Sequence, residues 1–177
     1  FVRNFRYRDR DLRYLAQVRD YDPAFLDFLG ALRFTGDIHA MPEGTVAFPN
    51  EPLVRVTAPF PEALLIEAGV LQAVNAASWV ATKAARMTLA ARGRRVAEFA
   101  LRRAAAPFTV ARSAYIGGCS STSFVAAAER YRLAATGTIP HALVQLFPDE
   151  HEAFTAVAET FSRYTVLLDT YDISTAM

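Results

Sequence analysis

Three short stretches gather residues able to do chemistry. Glu-Phe-Ala-Leu-Arg-Arg (98–103) sets Phe99 beside paired arginines, Arg102 and Arg103. Gly-Thr-Ile-Pro-His (137–141) carries Thr138 and one of three histidines, and Asp-Thr-Tyr-Asp (169–172) carries two carboxylates. Arginines grip phosphate or carboxylate through paired N–H bonds, and Phe99 offers a flat face to a ring. Asp169 can hold ribose hydroxyls, or a magnesium ion shared with phosphates. His141 can be base, nucleophile or ligand, as the imidazole type allows; a buried ring with both nitrogens satisfied is the commoner fate of a lone histidine. Gly117-Gly118 and the hydroxyls of residues 120–123 allow close backbone approach to a polar ligand. Taken singly, each residue has a plain structural reading: Arg102 as an ion-pair partner of Glu98, Asp169 as a helix cap. His39 reads as structural in a short strand, and His151 as the exposed start of a helix.

Periodicity supplies the elements that must position these residues. Apolar spacing over 9–33 predicts two helices, broken at Asp22-Pro23, which supplies an N-cap and an N1 proline. Residues 37–41, 45–48 and 53–57 are short, β-prone and separated by Pro/Gly/Asn turns, which predicts a small antiparallel sheet. A long helix is expected over 61–92, ended by Gly93, with an apolar stripe at Leu64, Leu65, Ala68, Leu71, Val74 and Trp79. Beyond it the expected order is strand 96–99, helix 107–116, helix 124–132, strand 133–135, helix 149–161 and strand 165–169. That alternation is the βαβ pattern of a parallel sheet or (β/α) barrel, in which chemistry gathers at the C-terminal ends of strands. All three stretches fall at such ends.

Composition narrows the partners. At 53% hydrophobic and 21% charged, the 177 residues suit a folded domain or part of a larger one. The apolar stretch 63–91 is interrupted by Glu67, Gln72, Asn75, Lys83 and Arg86, so no uncharged run reaches bilayer length and no membrane partner is expected. Lys83, Arg86, Arg92, Arg94, Arg95, Arg102, Arg103 and Arg112 face one acid, Glu98, which favours an anionic partner. Without a recognition helix or interleaved aromatics, small phosphorylated substrates fit that charge better than nucleic acid. Cys119 is the single cysteine, so no internal disulfide framework is available; with no signal-peptide pattern, a cytoplasmic setting is expected.

Residues 32–53 (Leu-Arg-Phe-Thr-Gly-Asp-Ile-His-Ala-Met-Pro-Glu-Gly-Thr-Val-Ala-Phe-Pro-Asn-Glu-Pro-Leu), Ala-Thr-Lys-Ala-Ala-Arg (81–86), 98–103, Gly-Thr-Ile-Pro-His-Ala-Leu (137–143) and 169–172 resemble, in order, the motifs of the nicotinate phosphoribosyltransferase family. The resemblance implies an α/β fold: part of an N-terminal sandwich domain (1–60), a connecting long helical segment (61–94), and the first part of an irregular (β/α) barrel (95–177). It implies an enzyme of NAD biosynthesis, classed as ligase or glycosyltransferase. Nicotinate and phosphoribosyl pyrophosphate would be joined to give nicotinate mononucleotide and pyrophosphate, with coupled ATP hydrolysis. ATP as co-substrate, Mg2+ and a homodimer or higher homo-oligomer are expected on the same ground.

By the same matching, His141 is the transiently phosphorylated histidine. Thr138 and Arg102 hold nicotinate, Phe99 stacks on its ring, Arg103 and Lys83 join the substrate-binding set, and Asp169 serves the ribose and metal side. Ser123 stands about where the related nicotinamide enzyme has an aspartate; a serine can donate to the carboxylate that an aspartate would repel. The alternatives are a nicotinamide- or quinolinate-type enzyme and a non-catalytic, metabolite-binding remnant of the fold. The family's initial Thr-Asp-x-Tyr motif and its later phosphate-loop strands are absent, so a partial chain is expected, with a missing segment between Asn4 and Phe5.

Overall fold

The computed structural model describes residues 1–176, in two compact units that divide at Ala81 and Thr82. The expected divisions at 60/61 and 94/95 fall near the two ends of the helix in which this boundary lies.

In the first unit, α1 (Asp9–Val18) and α2 (Pro23–Ala31) are the two helices expected. Asp22 caps α2 by accepting from Ala24 N at 2.8 Å, and Pro23 stands in the first turn, where its missing N–H costs nothing. Strand β1 (Asp37–Ala40) pairs antiparallel with β2 (Val54–Thr57), from Asp37↔Thr57 to Ala40↔Val54. Gly36 enters this hairpin where a Cβ would lie 2.3 Å from the Thr57 carbonyl, so only glycine fits. The strand expected over 45–48 does not form. Its backbone is drawn into turns instead: Thr45 N bonds Pro42 O, Glu51 N bonds Phe48 O, and Phe48 N donates to the Glu51 carboxylate at 2.8 Å. Glu62 joins the start of the next helix to this layer, accepting from Thr35 N at 2.6 Å.

Helix α3 (Phe60–Ala90) ends where Arg92 and Gly93 turn left-handed, at φ 49° and 83°. Its buried positions are Ile66 and Ala84, whereas Leu64, Leu71 and Trp79 of the expected stripe are exposed. Apolar residues surround this helix, so period alone does not single out a face. Among the described residues it is the one helix long and apolar enough to cross a bilayer by length and composition, although its uncharged run stops at Glu67 and Lys83.

The second unit is built on parallel pairing. Strand β3 (Ala97–Glu98) lies parallel to β4 (Ser121–Thr122), in register Ala97↔Ser121 and Glu98↔Thr122, and Thr122 forms a further parallel bridge to Ala135. Helix α4 (Pro107–Ile116) connects β3 to β4, and α5 (Val125–Tyr131) connects β4 to the bridge residue. Short helices α6 (His141–Val144) and α8 (Ile173–Ala176) flank α7 (Glu150–Thr160), which Asp149 caps by accepting from Glu152 N at 2.8 Å. The core is small-residue packing: Ala111, Ala114, Ala127, Ala128 and Ala153 with Val144 and Val157. Short side chains let helix backbones lie close to the short strands.

The mixed α/β class is therefore as expected. The strand regions at 96–99 and 133–135 contract to two residues and one bridge. The strand expected over 165–169 is absent among the described residues: its backbone makes one bond to the preceding turn, Ile139 N to Thr165 O at 2.8 Å, which is too little for a ladder.

Candidate functional site

Two groups of candidate site residues are assembled in the second unit, one at its strand ends and one in its later turns. The first comes from β3 and β4. Phe99 follows the last residue of β3 and is half-exposed, and the chain then turns into a single 3-10 turn, Leu101–Arg103, closed by Arg103 N bonding Ala100 O at 2.8 Å. That turn carries exposed Arg102 and Arg103 directly after the aromatic ring. Ser123 leaves β4 at the same level, its N–H donating to the Glu98 carbonyl at 2.9 Å. A flat ring, two guanidinium groups and a hydroxyl are thus delivered by adjacent parallel strands.

The second group is at the 137–141 turn. Pro140 flanks α6 with extended geometry, and His141 opens the helix with its ring outward. His141 Nδ1 lies 3.1 Å from Thr170 Oγ1, and Nε2 lies 3.8 Å from Asp169 Oδ1. The ring is not a buried core histidine, since the His141 and Asp169 side chains are 45% and 64% exposed. When protonated, the ring pairs with Asp169; when neutral, the Thr170 contact leaves Nε2 available as a nucleophile. Thr138 lies exposed in the same turn, one residue before the Ile139–Thr165 bond. Lys83 stands on α3, beside buried Ala84, and not on the strand-end loops.

Beneath the first group is a buried polar tie that the motif reading did not assign. The Glu98 carboxylate, which the plain structural reading would pair with Arg102, is taken up by one backbone N–H and one hydroxyl. Its Oε1 accepts from Ala100 N, and its Oε2 accepts from Thr122 Oγ1 at 2.5 Å. Thr122 Oγ1 in turn accepts from Phe124 N at 3.1 Å. Next to it Cys119 is buried; desolvation, and then the Glu98 charge, push its thiol above the ordinary value. Thr122 and Thr170 were legible only as members of the quoted hydroxyl and Asp-Thr-Tyr-Asp runs, with nothing local to mark their partners.

Asp169 is an exposed oxygen donor beside a histidine, and no group of three or more His, Cys, Asp or Glu side chains able to hold a metal occurs among the described residues. That donor set fits a magnesium ion completed by substrate phosphates better than a cage made of protein alone.

An α/β unit whose loops present an aromatic, paired arginines, a hydroxyl and a histidine beside a carboxylate holds groups suited to an anionic, ring-bearing ligand. Comparison with known proteins makes this particular. Residues 1–75 match the model of the nicotinate phosphoribosyltransferase (NAPRTase) N-terminal domain. The chain is 45% identical over 175 residues to nicotinate phosphoribosyltransferase pncB2 of Mycobacterium tuberculosis, covering 97% of this chain and 38% of that protein. The crystal structure of human nicotinic acid phosphoribosyltransferase superimposes with TM-score 0.75 at 41% identity, over 83% of this chain and 31% of that one. Nicotinate-nucleotide pyrophosphorylase from Pyrococcus furiosus does so with TM-score 0.72 at 31% identity, over 78% of this chain and 37% of that one. The chain is similar to a nicotinate phosphoribosyltransferase along nearly its whole length, and it spans just over a third of the length of that curated relative.

Proposed function

We propose that the whole protein joins nicotinate to phosphoribosyl pyrophosphate, giving nicotinate mononucleotide and pyrophosphate in NAD biosynthesis, with ATP hydrolysis coupled to the transfer. The observation that carries this reading is the pairing of β3 and β4, which sets Phe99, Arg102 and Arg103 beside Ser123. Phe99 stacks on the pyridine, Arg102 grips its carboxylate, and Ser123 donates to it without competing charge. Thr138 adds a hydroxyl to the pyridine side, while Arg103 and Lys83 complement the phosphates.

His141 is the phosphoryl acceptor in this reading. The Nε2 lone pair attacks the γ-phosphorus of ATP, the bond to the bridging oxygen breaks, and its electron pair leaves with ADP. Thr170 orients the ring through Nδ1, and Asp169 offsets the positive charge that the ring acquires. Magnesium bound by Asp169 together with pyrophosphate oxygens would neutralise phosphate charge. A homodimer or higher homo-oligomer in a cytoplasmic setting, away from membrane and nucleic acid, completes the proposal; the lone buried Cys119 supports the setting and the charges interrupting α3 the absence of a membrane partner.

Replacing Ser123 by Asp in the full-length enzyme tests the pyridine assignment. A hydrogen bond to a charged group contributes about 1.5 to 3 kcal/mol, so the ratio of kcat/KM for nicotinate over nicotinamide should fall by about tenfold or more. An unchanged ratio, or equal use of both pyridines by the parent enzyme, would falsify the assignment.

A further inference from the structure

We propose that Glu98 is a positioning residue for the pyridine side of the site, acting through Thr122 and the backbone of both strand ends. The inference rests on the nicotinate reading above and concerns a residue that touches no substrate in that reading. Glu98 is 8% exposed and Thr122 is 1% exposed, so both lie beneath the surface on which Phe99 and Ser123 stand. Phe99 is the one residue between two anchored points: Glu98, paired in the sheet, and Ala100, whose N–H is held by Glu98 Oε1. Ser123 is bracketed in the same way. Thr122 is held by Glu98 Oε2, and Phe124 N is held by the Thr122 hydroxyl. A single carboxylate thereby sets the backbone on both sides of the aromatic ring and of the hydroxyl.

Two acceptor oxygens are needed for this, one per strand end. Glutamine supplies one acceptor and one donor pair, so it can keep Ala100 or Thr122 in its present role but not both. The Ala100 anchor also carries the turn that presents Arg102, because Arg103 N bonds the Ala100 carbonyl. Losing one oxygen should therefore loosen one strand end, and with it either the ring and the guanidinium or the hydroxyl, while leaving the His141 group, held by its own contacts, unaffected.

The experiment uses the full-length enzyme and three variants: Glu98→Gln, Thr122→Val and Thr122→Ser. Steady-state KM is measured separately for nicotinate and for phosphoribosyl pyrophosphate, and amide hydrogen exchange is followed at Ala100 and Phe124. Glu98→Gln and Thr122→Val should raise the nicotinate KM about tenfold, the order expected for losing a charge-assisted bond, with the other KM changed less than about twofold. Exchange should speed up at Ala100 or at Phe124 in Glu98→Gln, according to which partner the glutamine cannot keep, and at Phe124 in Thr122→Val. Thr122→Ser, which keeps the hydroxyl, should restore the parent values. If Glu98→Gln does not fold, the two Thr122 variants carry the same comparison. An unchanged nicotinate KM beside faster exchange, or equal rises in both KM values, overturns the positioning role alone. A parent enzyme that does not use nicotinate overturns the nicotinate reading and this inference with it.

Discussion

The two polar groups of the second unit are built oppositely. Glu98 and Thr122 are buried, and both Glu98 carboxylate oxygens and the Thr122 hydroxyl are engaged. His141, Asp169 and Thr170 stand near water, with one hydrogen-bond-length contact and one ion pair at 3.8 Å. A buried carboxylate is tolerated only when its oxygens are satisfied, and removing a partner then costs its full desolvation. An exposed histidine–carboxylate pair adds little stability because water screens it, so its geometry can be given over to chemistry. Burial thus separates residues that hold the strand ends from residues left open to a ligand.

Removing the buried tie should have the largest effect. Glu98→Ala leaves Ala100 N and the Thr122 hydroxyl without their acceptor, and should destabilise the full-length protein by about 3 kcal/mol in urea denaturation. A loss under about 1 kcal/mol would erase the contrast with the exposed group. His141→Ala should cost no more than about 0.5 kcal/mol, as exposed substitutions do, while abolishing acid-labile, base-stable phosphate labelling by ATP. Labelling that persists in this variant would remove the phosphohistidine assignment, and a large stability loss would show the ring to be structural after all.

Cys119 gives the smallest effect and probes the same buried charge by pH. Its folded thiol is raised by burial and by Glu98, so folding favours the protonated form. Its contribution is therefore fully present below the ordinary thiol value of 9.0 and is lost as pH rises through the folded value, because the unfolded chain then releases its proton first. The urea midpoint of the parent should fall more steeply above about pH 9 than that of Cys119→Ala. Parallel profiles would show that the buried environment around Glu98 does not act on the thiol.

Much of the helical architecture was legible because its signals are local. Asp22-Pro23 starts α2, Pro107 opens α4, Asp149 caps α7, and Gly93 follows the end of α3. Strands were less legible, since extended residues become strands only when a partner accepts their ladder: 45–48 found turns, and 165–169 found one bond. The apolar face of α3 was misread for a related reason, as its apolar residues run all round and neighbours choose which are covered. At the candidate site, Phe99, Arg102, Arg103, Ser123, Thr138 and His141 stood out in short motifs, whereas the residues that support them did not.

What the sequence by itself determined is the set of residue types at the candidate site and most of the helices that flank it, because residue type and helix punctuation depend on neighbours a few positions away. The tertiary structure alone decided that Glu98 serves Ala100 and Thr122 and not Arg102, and that His141 meets Thr170 and Asp169 across 29 and 28 positions of chain. Those partnerships exist only once parallel pairing and loop return bring distant backbone together, and hydrogen bonds act over about 3 Å, a range that sequence distance does not record.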